Sequence, residues 1–490
     1  MKHKIGIFSL IAILFLAAFL RLYKMRELGT FLADQAIELS GTAQILKGDL
    51  TLIGIKTSVS EVRNGAVMYY VMAPFLYLFN YDPVAGAFVQ ILLQLAAITC
   101  VYMVLKKQGR EGTGLIASMM IAASPLLVRF SRQTMLAYYP LFFTTVAFLV
   151  SVVLVKKYKA LYSFFLGILL GFMLQIHYAT LATILYGLLL PFIFLPRKIW
   201  PRYFVTLLGG FVIGFSPMIL FDVTHGFFQS KTLLNFLSQN AATAFQTRFS
   251  LLSYWGNSLS QVLFSGNVLL TLLFLMICAI VRVGIRATLT LIEKLCFLQI
   301  VATLLFTIVF VKEYVSHYSI TLFIPLFILV GASIEKAIQT HFPHAFLKIF
   351  SIFSLFFVMA NSAGYGLNDN HGWTMKEGWN LPGVEIAAHI IFDDINQTNV
   401  EKSYNVAMVV DAQNQGMPLR YFLTVWGPAP LPFDKYDQAD FLYVVTEPAI
   451  DIYSMQMWEI TSFGPFTIDK AWDIQNGFTL YRLSKKNHLS

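Results

Sequence analysis

The sequence predicts a polytopic α-helical membrane protein with a small α/β unit after its last span. Three observations predict it. Charged residues make up 12% of the 490-residue chain and hydrophobic ones 57%, where a soluble globular protein carries about 25% charge. Long apolar runs alternate with short basic clusters, as spans alternate with cytoplasmic loops. From about residue 363 the chain turns polar and its apolar runs shorten to strand length.

Taken in order, about eleven runs are long and apolar enough to be spans: 5–22, 84–105, 112–128, 135–155, 160–176, 179–196, 203–221, 262–282, 292–311, 316–334 and 345–362. No small-residue cleavage site follows the first run, so it reads as a retained span rather than a signal peptide. The run 66–79 is too short to cross and suits a helix lying in the interface. With the N-terminus in the cytoplasm, the inner loops hold Lys2 and Lys4, then Lys106, Lys107 and Arg110, then Lys156, Lys157 and Lys159, and further basic clusters. That is the positive-inside pattern. The net charge of +9 therefore reports topology and not a nucleic-acid surface. An odd number of spans leaves the C-terminus outside, with long outer segments at 23–83, 222–261 and 363–490.

The chain thus divides into a membrane domain, 1–362, and an extracytoplasmic α/β domain, 363–490. Strands are expected at 404–411, 440–447 and 477–483, rich in Val, Tyr and Phe. Helices are expected at 382–396 and 455–463. Cys100, Cys278 and Cys296 all lie in or beside apolar runs, so the tail has no internal disulfide.

Ionisable residues collect at the outer ends of the spans: Asp34, Glu38, Arg63, Arg129, Arg132, His177, Asp222, Lys312 and His317 among them. The spans themselves carry almost none, whereas a coupled transporter places carboxylates near the midplane. A site at one face suits an enzyme with an outward cavity. No phosphate-cradling Gly-Lys-Ser/Thr loop, His-Glu-x-x-His helix, Cys-x-x-Cys pair or Gly-x-Ser-x-Gly turn is present. An outward-facing enzyme cannot draw on cytoplasmic nucleotides, so its activated donor must arrive in the membrane, for example as a lipid-linked phosphosugar. Transfer from such a donor needs a base for the acceptor hydroxyl and positive charge for the departing phosphate.

Asp34 suits the base, and equally suits the N-cap of a helix beginning at Gln35. Arg129, Arg132, Lys312 and His317 are the candidates for the donor phosphate, with headgroup snorkelling as the alternative for the arginines. His177 is either a substrate contact or a structural histidine. Asp222 either lines the cavity, pairs with Arg248 or caps the next helix. Tyr69 and Tyr70 are cavity-wall candidates on the interface run, with belt aromatics as the alternative reading. Asp411, at the end of an expected strand, is a remote candidate for touching an acceptor.

Several stretches, in order, resemble the integral-membrane C-type glycosyltransferases, above all the family 39 protein O-mannosyltransferases and their bacterial relatives such as the lipid A aminoarabinose transferase. They are Phe31-Leu32-Ala33-Asp34-Gln35-Ala36, where the family has an acidic pair; Gly65-Ala66-Val67-Met68-Tyr69-Tyr70; Asp82-Pro83; Ala123-Ser124-Pro125; Arg129-Phe130-Ser131-Arg132; Gln175-Ile176-His177-Tyr178; and His317-Tyr318 to Ile324-Pro325. The resemblance covers residues 1–340. It implies a C-type glycosyltransferase fold, a polyprenyl-phosphate sugar donor, Asp34 as catalytic base and direct displacement with inversion. The acceptor would be a lipid, glycan or protein. The pattern departs from the family at Gln35, which replaces the second acid, and at Ala66, which replaces a proline. The 129–139 segment also lacks the carboxylate that some C-type enzymes give to a metal. A mechanism without metal or other cofactor is therefore favoured over a divalent-metal one. The expected function is hexosyl or pentosyl transfer at the extracytoplasmic face of the cell membrane. The alternatives are a lipid-linked glycan flippase and a glycan polymerase or ligase.

Overall fold

In a computed structural model, the structure describes residues 2–57, 61–240, 248–284, 288–310, 315–339, 367, 378–397, 402–410, 413–448 and 450–486. The chain is a multi-pass helical membrane protein with a small sheet unit at its C-terminal end. The membrane part runs α1 (Lys2–Leu22), α2 (Met25–Leu28), α3 (Ala33–Leu46), the hairpin β1 (Ile53–Lys56) and β2 (Arg63–Gly65), and α4 (Val67–Leu78). It continues through α5 (Val84–Lys107), α6 (Glu111–Ala123), α7 (Pro125–Ser131), α8 (Pro140–Lys156), α9 (Ala160–Ile176), α10 (Leu181–Phe194) and α11 (Trp200–Thr224). Then come α12 (Phe228–Asn240), α13 (Arg248–Phe264), α14 (Val268–Gly284), α15 (Leu291–Phe310) and α16 (Ile320–Gln339).

Among the described residues, six helices are long and apolar enough to cross a membrane, and eight if each bent pair counts as one. Two more of the expected spans are α9 and α10, with 17 and 14 residues, short of the roughly 20 that a crossing takes. The expected span 345–362 lies outside the described residues.

Both bends have local causes. The expected span 112–128 breaks by 59° between α6 and α7. Pro125 has no N–H to continue the ladder and forces Ser124 out of helical geometry, to ψ 122°. The expected span 262–282 begins only at Val268, and α13 meets α14 at 83°. There Ser265 and Gly266 take φ +54° and +98°, left-handed geometry that glycine accepts without strain. Within the expected outer segment 222–261, the described residues are mostly helical, in α12 and most of α13.

The C-terminal unit holds α17 (Leu381–Gln397), β3 (Tyr404–Met408), α18 (Met417–Trp426), β4 (Phe441–Thr446), α19 (Trp458–Phe463), β5 (Phe466–Gln475) and β6 (Phe478–Lys485). The sheet order is β3-β4-β6-β5, with β3–β4 parallel and the other pairs antiparallel. Strand β5 and helix α18 have no counterpart in the sequence reading.

This unit sits on the end of the bundle that carries α3 and α4. One buried apolar cluster runs from Phe31, Ala36 and Leu39 through Met68 and Met72 into Val384, Val406 and Leu419. Phe31 meets Tyr421 and Phe422 edge-on at 5.6 and 5.7 Å. Arg26 pairs with both Asp82 and Glu385, and the Tyr421 hydroxyl donates to Tyr81 O at 2.7 Å.

Candidate active site

The chain leaves α1 through a tight passage at Gly29. A Cβ there would stand 2.4 Å from Met25 O and 2.9 Å from Arg132 O, so only glycine allows the approach. Helix α3 starts at Ala33, with Leu32 extended before it. Asp34 is therefore inside the first turn and not the N-cap, which corrects that reading. The helix N-terminus favours negative charge there.

Gln35, in the place of the family's second acid, has a structural task. Its Oε1 accepts the Leu32 N–H at 2.7 Å, and its Nε2 donates to Thr30 Oγ1 at 3.0 Å. It thereby closes the helix start as the third residue of a capping box does.

Asp34 is partly buried. Its Oδ1 accepts from Gln413 Nε2 at 3.1 Å. Burial pushes its carboxyl above the usual aspartate range, and the Gln413 hydrogen bond opposes that shift. One turn on, Glu38 is 2% exposed. Its Oε1 accepts the Leu136 N–H at 3.0 Å, and its Oε2 has no hydrogen-bond partner among the described residues. Burial raises the Glu38 carboxyl well above its ordinary range, and the Asp34 charge adds to the effect.

Tyr69 and Tyr70 face different ways. Tyr69 is buried, its ring against Gly41 of α3, where a Cβ would come within 2.5 Å of it. Tyr70 is 41% exposed and donates to Thr51 O at 2.8 Å.

Arg132 is buried and donates to Leu20 O. With Gly29, Thr30, Phe31, Pro83 and Thr134 it lines a small cleft beside the entry to α3. Arg129 is partly buried in the last turn of α7, where its carbonyl accepts the Arg132 N–H at 3.1 Å.

Arg21 was not singled out by its position near the end of an apolar run, yet it is fully buried. It donates to Gln94 Oε1 at 3.0 Å, Ile121 O at 3.0 Å and Ala122 O at 2.8 Å. These carbonyls are the ones that the helix break before Pro125 leaves without intrahelical donors.

His177 and His317 form a second group, rings edge-on at 4.9 Å, with Tyr138 and Tyr318 beside His317. His177 Nδ1 accepts the Ala179 N–H at 3.1 Å, which puts its ring proton on Nε2 when neutral. Asp222 is committed locally. Its oxygens take the Gln229 N–H at 2.7 Å, the Ser230 N–H at 3.3 Å and the Ser230 hydroxyl. It anchors the start of α12, which is the capping alternative rather than the cavity one. Lys312 and Asp411 lie outside the described residues. Among the described residues no group of three or more His, Cys, Asp or Glu is placed to hold a metal.

Residues 64–221 match the sequence model of the dolichyl-phosphate-mannose-protein mannosyltransferase family. ArnT from Cupriavidus metallidurans is similar over nearly the whole of both chains. In its apo state the TM-score is 0.64 at 10% identity, covering 98% of each chain. In its structure bound to undecaprenyl phosphate the TM-score is 0.62 at 11% identity, covering 97% of each. The chain has the C-type glycosyltransferase fold. The Archaeoglobus fulgidus oligosaccharyltransferase, in complex with Zn and sulfate, shares that fold at TM-score 0.53 and 10% identity, over 89% of this chain and 67% of its own. The mycobacterial arabinofuranosyltransferase AftD matches 100% of this chain with 40% of its own, at TM-score 0.55 and 13% identity. No curated protein matches by sequence. Within this glycosyltransferase fold, the family match takes in Tyr69, Tyr70, Arg129, Arg132 and His177 and stops short of Asp34, Asp222 and His317. The likeness to ArnT extends through the C-terminal unit.

Proposed function

We propose that the protein transfers a sugar from a polyprenyl-phosphate donor to an acceptor hydroxyl at the extracytoplasmic face of the cell membrane. Asp34 takes the acceptor proton, the alkoxide oxygen attacks the anomeric carbon, and the bond to the phosphate oxygen breaks with inversion. The polyprenyl phosphate leaves as an anion, and the proton passes from Asp34 to water. One carboxylate suffices, because no sugar–enzyme bond forms. No metal or organic cofactor takes part. The N-terminus is cytoplasmic, and the C-terminal unit lies outside over the site, facing a lipid, glycan or protein acceptor.

The observation that carries this reading is the state of Asp34. Its carboxylate has one oxygen held and the other unpartnered among the described residues, and the chain just before it, Gly29, Thr30 and Phe31, lines a small cleft together with Arg132. A base whose proton affinity is raised by burial is better matched to a hydroxyl at neutral pH than an ordinary aspartate. Arg132 supplies the charge that a departing phosphate needs.

The test is direct. The full-length protein in lipid nanodiscs is given undecaprenyl-phosphate donors carrying radiolabelled mannose, arabinose or aminoarabinose, with cell-envelope membranes as the acceptor source. Label transferred to an acceptor supports the reading. Intact labelled donor crossing a vesicle bilayer, without transfer, means a flippase and overturns it. Arg132→Ala should then weaken donor binding about 10–100-fold, the range for a lost charge-assisted hydrogen bond, and leave the acceptor KM unchanged. Parallel loss of both, with a lowered unfolding temperature, would assign Arg132 to structure instead.

A further inference from the structure

We propose that Gln413, from the C-terminal unit, is a positioning residue of the transfer site: its amide holds Oδ1 of Asp34 so that Oδ2 is presented to the acceptor hydroxyl. The inference rests on Asp34 being the base.

The contact joins residues 379 positions apart in the chain, with Nε2 donating to Oδ1 at 3.1 Å. Gln413 is exposed, and an exposed glutamine touching a carboxylate is commonly incidental. What distinguishes this one is that both sides of the contact are fixed.

On the Gln413 side, every following backbone carbonyl up to the helix is occupied. Asn414 O accepts the Met408 N–H at 2.9 Å, Gln415 O accepts Arg420 Nε at 2.7 Å, and Gly416 O accepts the Arg420 N–H at 3.0 Å. Gly416 sits at φ +65°, with the Val406 side chain 3.2 Å from where a Cβ would be, so the turn admits no other residue without strain. Arg420 is buried and held in turn by Asn405 Oδ1 and by Leu431 O at 2.6 Å. On the Asp34 side, α3 is clamped to α18 through Phe31, Tyr421 and Phe422. Residues 414–416 are thus tied to β3 and α18, with Gln413 at their head on the carboxylate, and preorganisation of this kind is what gives a single hydrogen bond value in a transfer site.

The chemistry suits the task. An amide donates to Oδ1 whether Asp34 is ionised or has taken a proton on Oδ2, so the bond survives the proton transfer. Among the described residues Gln413 is the hydrogen-bond partner of Asp34, on Oδ1, which leaves Oδ2 for the acceptor. A donor at Oδ1 also favours the ionised form, so a variant without it should need a higher pH to work.

The measurement is the pH profile of kcat in the full-length protein, with whichever labelled undecaprenyl-phosphate sugar of the panel above is turned over. Q413A should lower kcat on the order of tenfold, leave donor KM unchanged and move the acid limb upward. Q413E, which swaps the donor for a charge, should move that limb further than Q413A does. A wild-type kcat and acid limb in Q413A, with D34N inactive, overturns this inference and leaves the base intact. Undiminished transfer by D34N overturns the base itself. A double-mutant cycle in unfolding temperature between Q413A and D34A reads the contact without substrate, and strictly additive losses there also overturn the proposal.

Discussion

Asp34→Asn is expected to cut sugar transfer by about 10²–10⁴-fold, the span that a general base contributes, while the unfolding temperature stays near wild type. Asparagine keeps the shape and an oxygen for Gln413 but cannot take a proton. Asp34→Glu should recover only part of the loss, because the added methylene moves the oxygen off the line to the acceptor. The wild-type pH profile is the companion measurement. Burial favours the neutral form of Asp34, so the working carboxylate is depleted as pH falls through a value above the ordinary aspartate range. The acid limb of kcat/KM should lie correspondingly high and should be missing from any residual activity of the asparagine variant. Unimpaired transfer by D34N in nanodiscs would remove the assigned base, whatever the fold.

Asp34 is visible in the sequence because it is the first carboxylate after Glu27, where the chain is expected to leave the bilayer. Its setting is not. Whether Asp34 capped the helix or stood inside it turned on where the first turn begins, and Gln35 closing back on Leu32 decides that. The spans were legible because lipid imposes long apolar runs, but the expected span 112–128 runs through Ser124-Pro125, where the helix breaks. The 83° bend at Ser265 and Gly266 falls inside the expected span 262–282, although Ser265-Gly266-Asn267 interrupts the apolar run there. Asp222 is expected just past the span 203–221 but lies in the last turn of α11, and the Ser230 hydroxyl and backbone that consume it come from the next helix. Strand β5 escaped notice because it is an edge strand with Asp469, Lys470 and Asp473 along it. The Gln413 contact leaves no local trace at all. It exists because Phe31 and α18 bring two distant segments together, and no periodicity within either segment encodes that meeting.

Glycine to alanine at position 210 should be the most damaging single-methyl change in the membrane part. Helices α9 and α11 cross with glycines at four-residue spacing on both faces, Gly167 and Gly171 against Gly210 and Gly214. A Cβ on Gly210 would stand 2.0 Å from Phe164 O, one on Gly214 2.2 Å from Ile168 O, one on Gly167 2.1 Å from Leu207 O and one on Gly171 2.4 Å from Phe211 O. These are backbone atoms and cannot turn aside. In lipid no hydrophobic drive holds helices together, so the association relies on this close approach and its packing. Gly210→Ala should therefore lower stability by about 2–3 kcal/mol, as overpacking does, read as a fall in unfolding temperature in detergent. Gly209→Ala is the control, because its Cβ would meet nothing nearer than 4.0 Å. The loss should also reach the site. Gln175 donates to Gly214 O at 2.6 Å, and its side chain fills the space beside Gly65 at the root of α4. Parting α9 from α11 withdraws that support from α4 and from the neighbouring His177. Equal unfolding temperatures for the two alanine variants would show that the glycine faces do not hold the helices together.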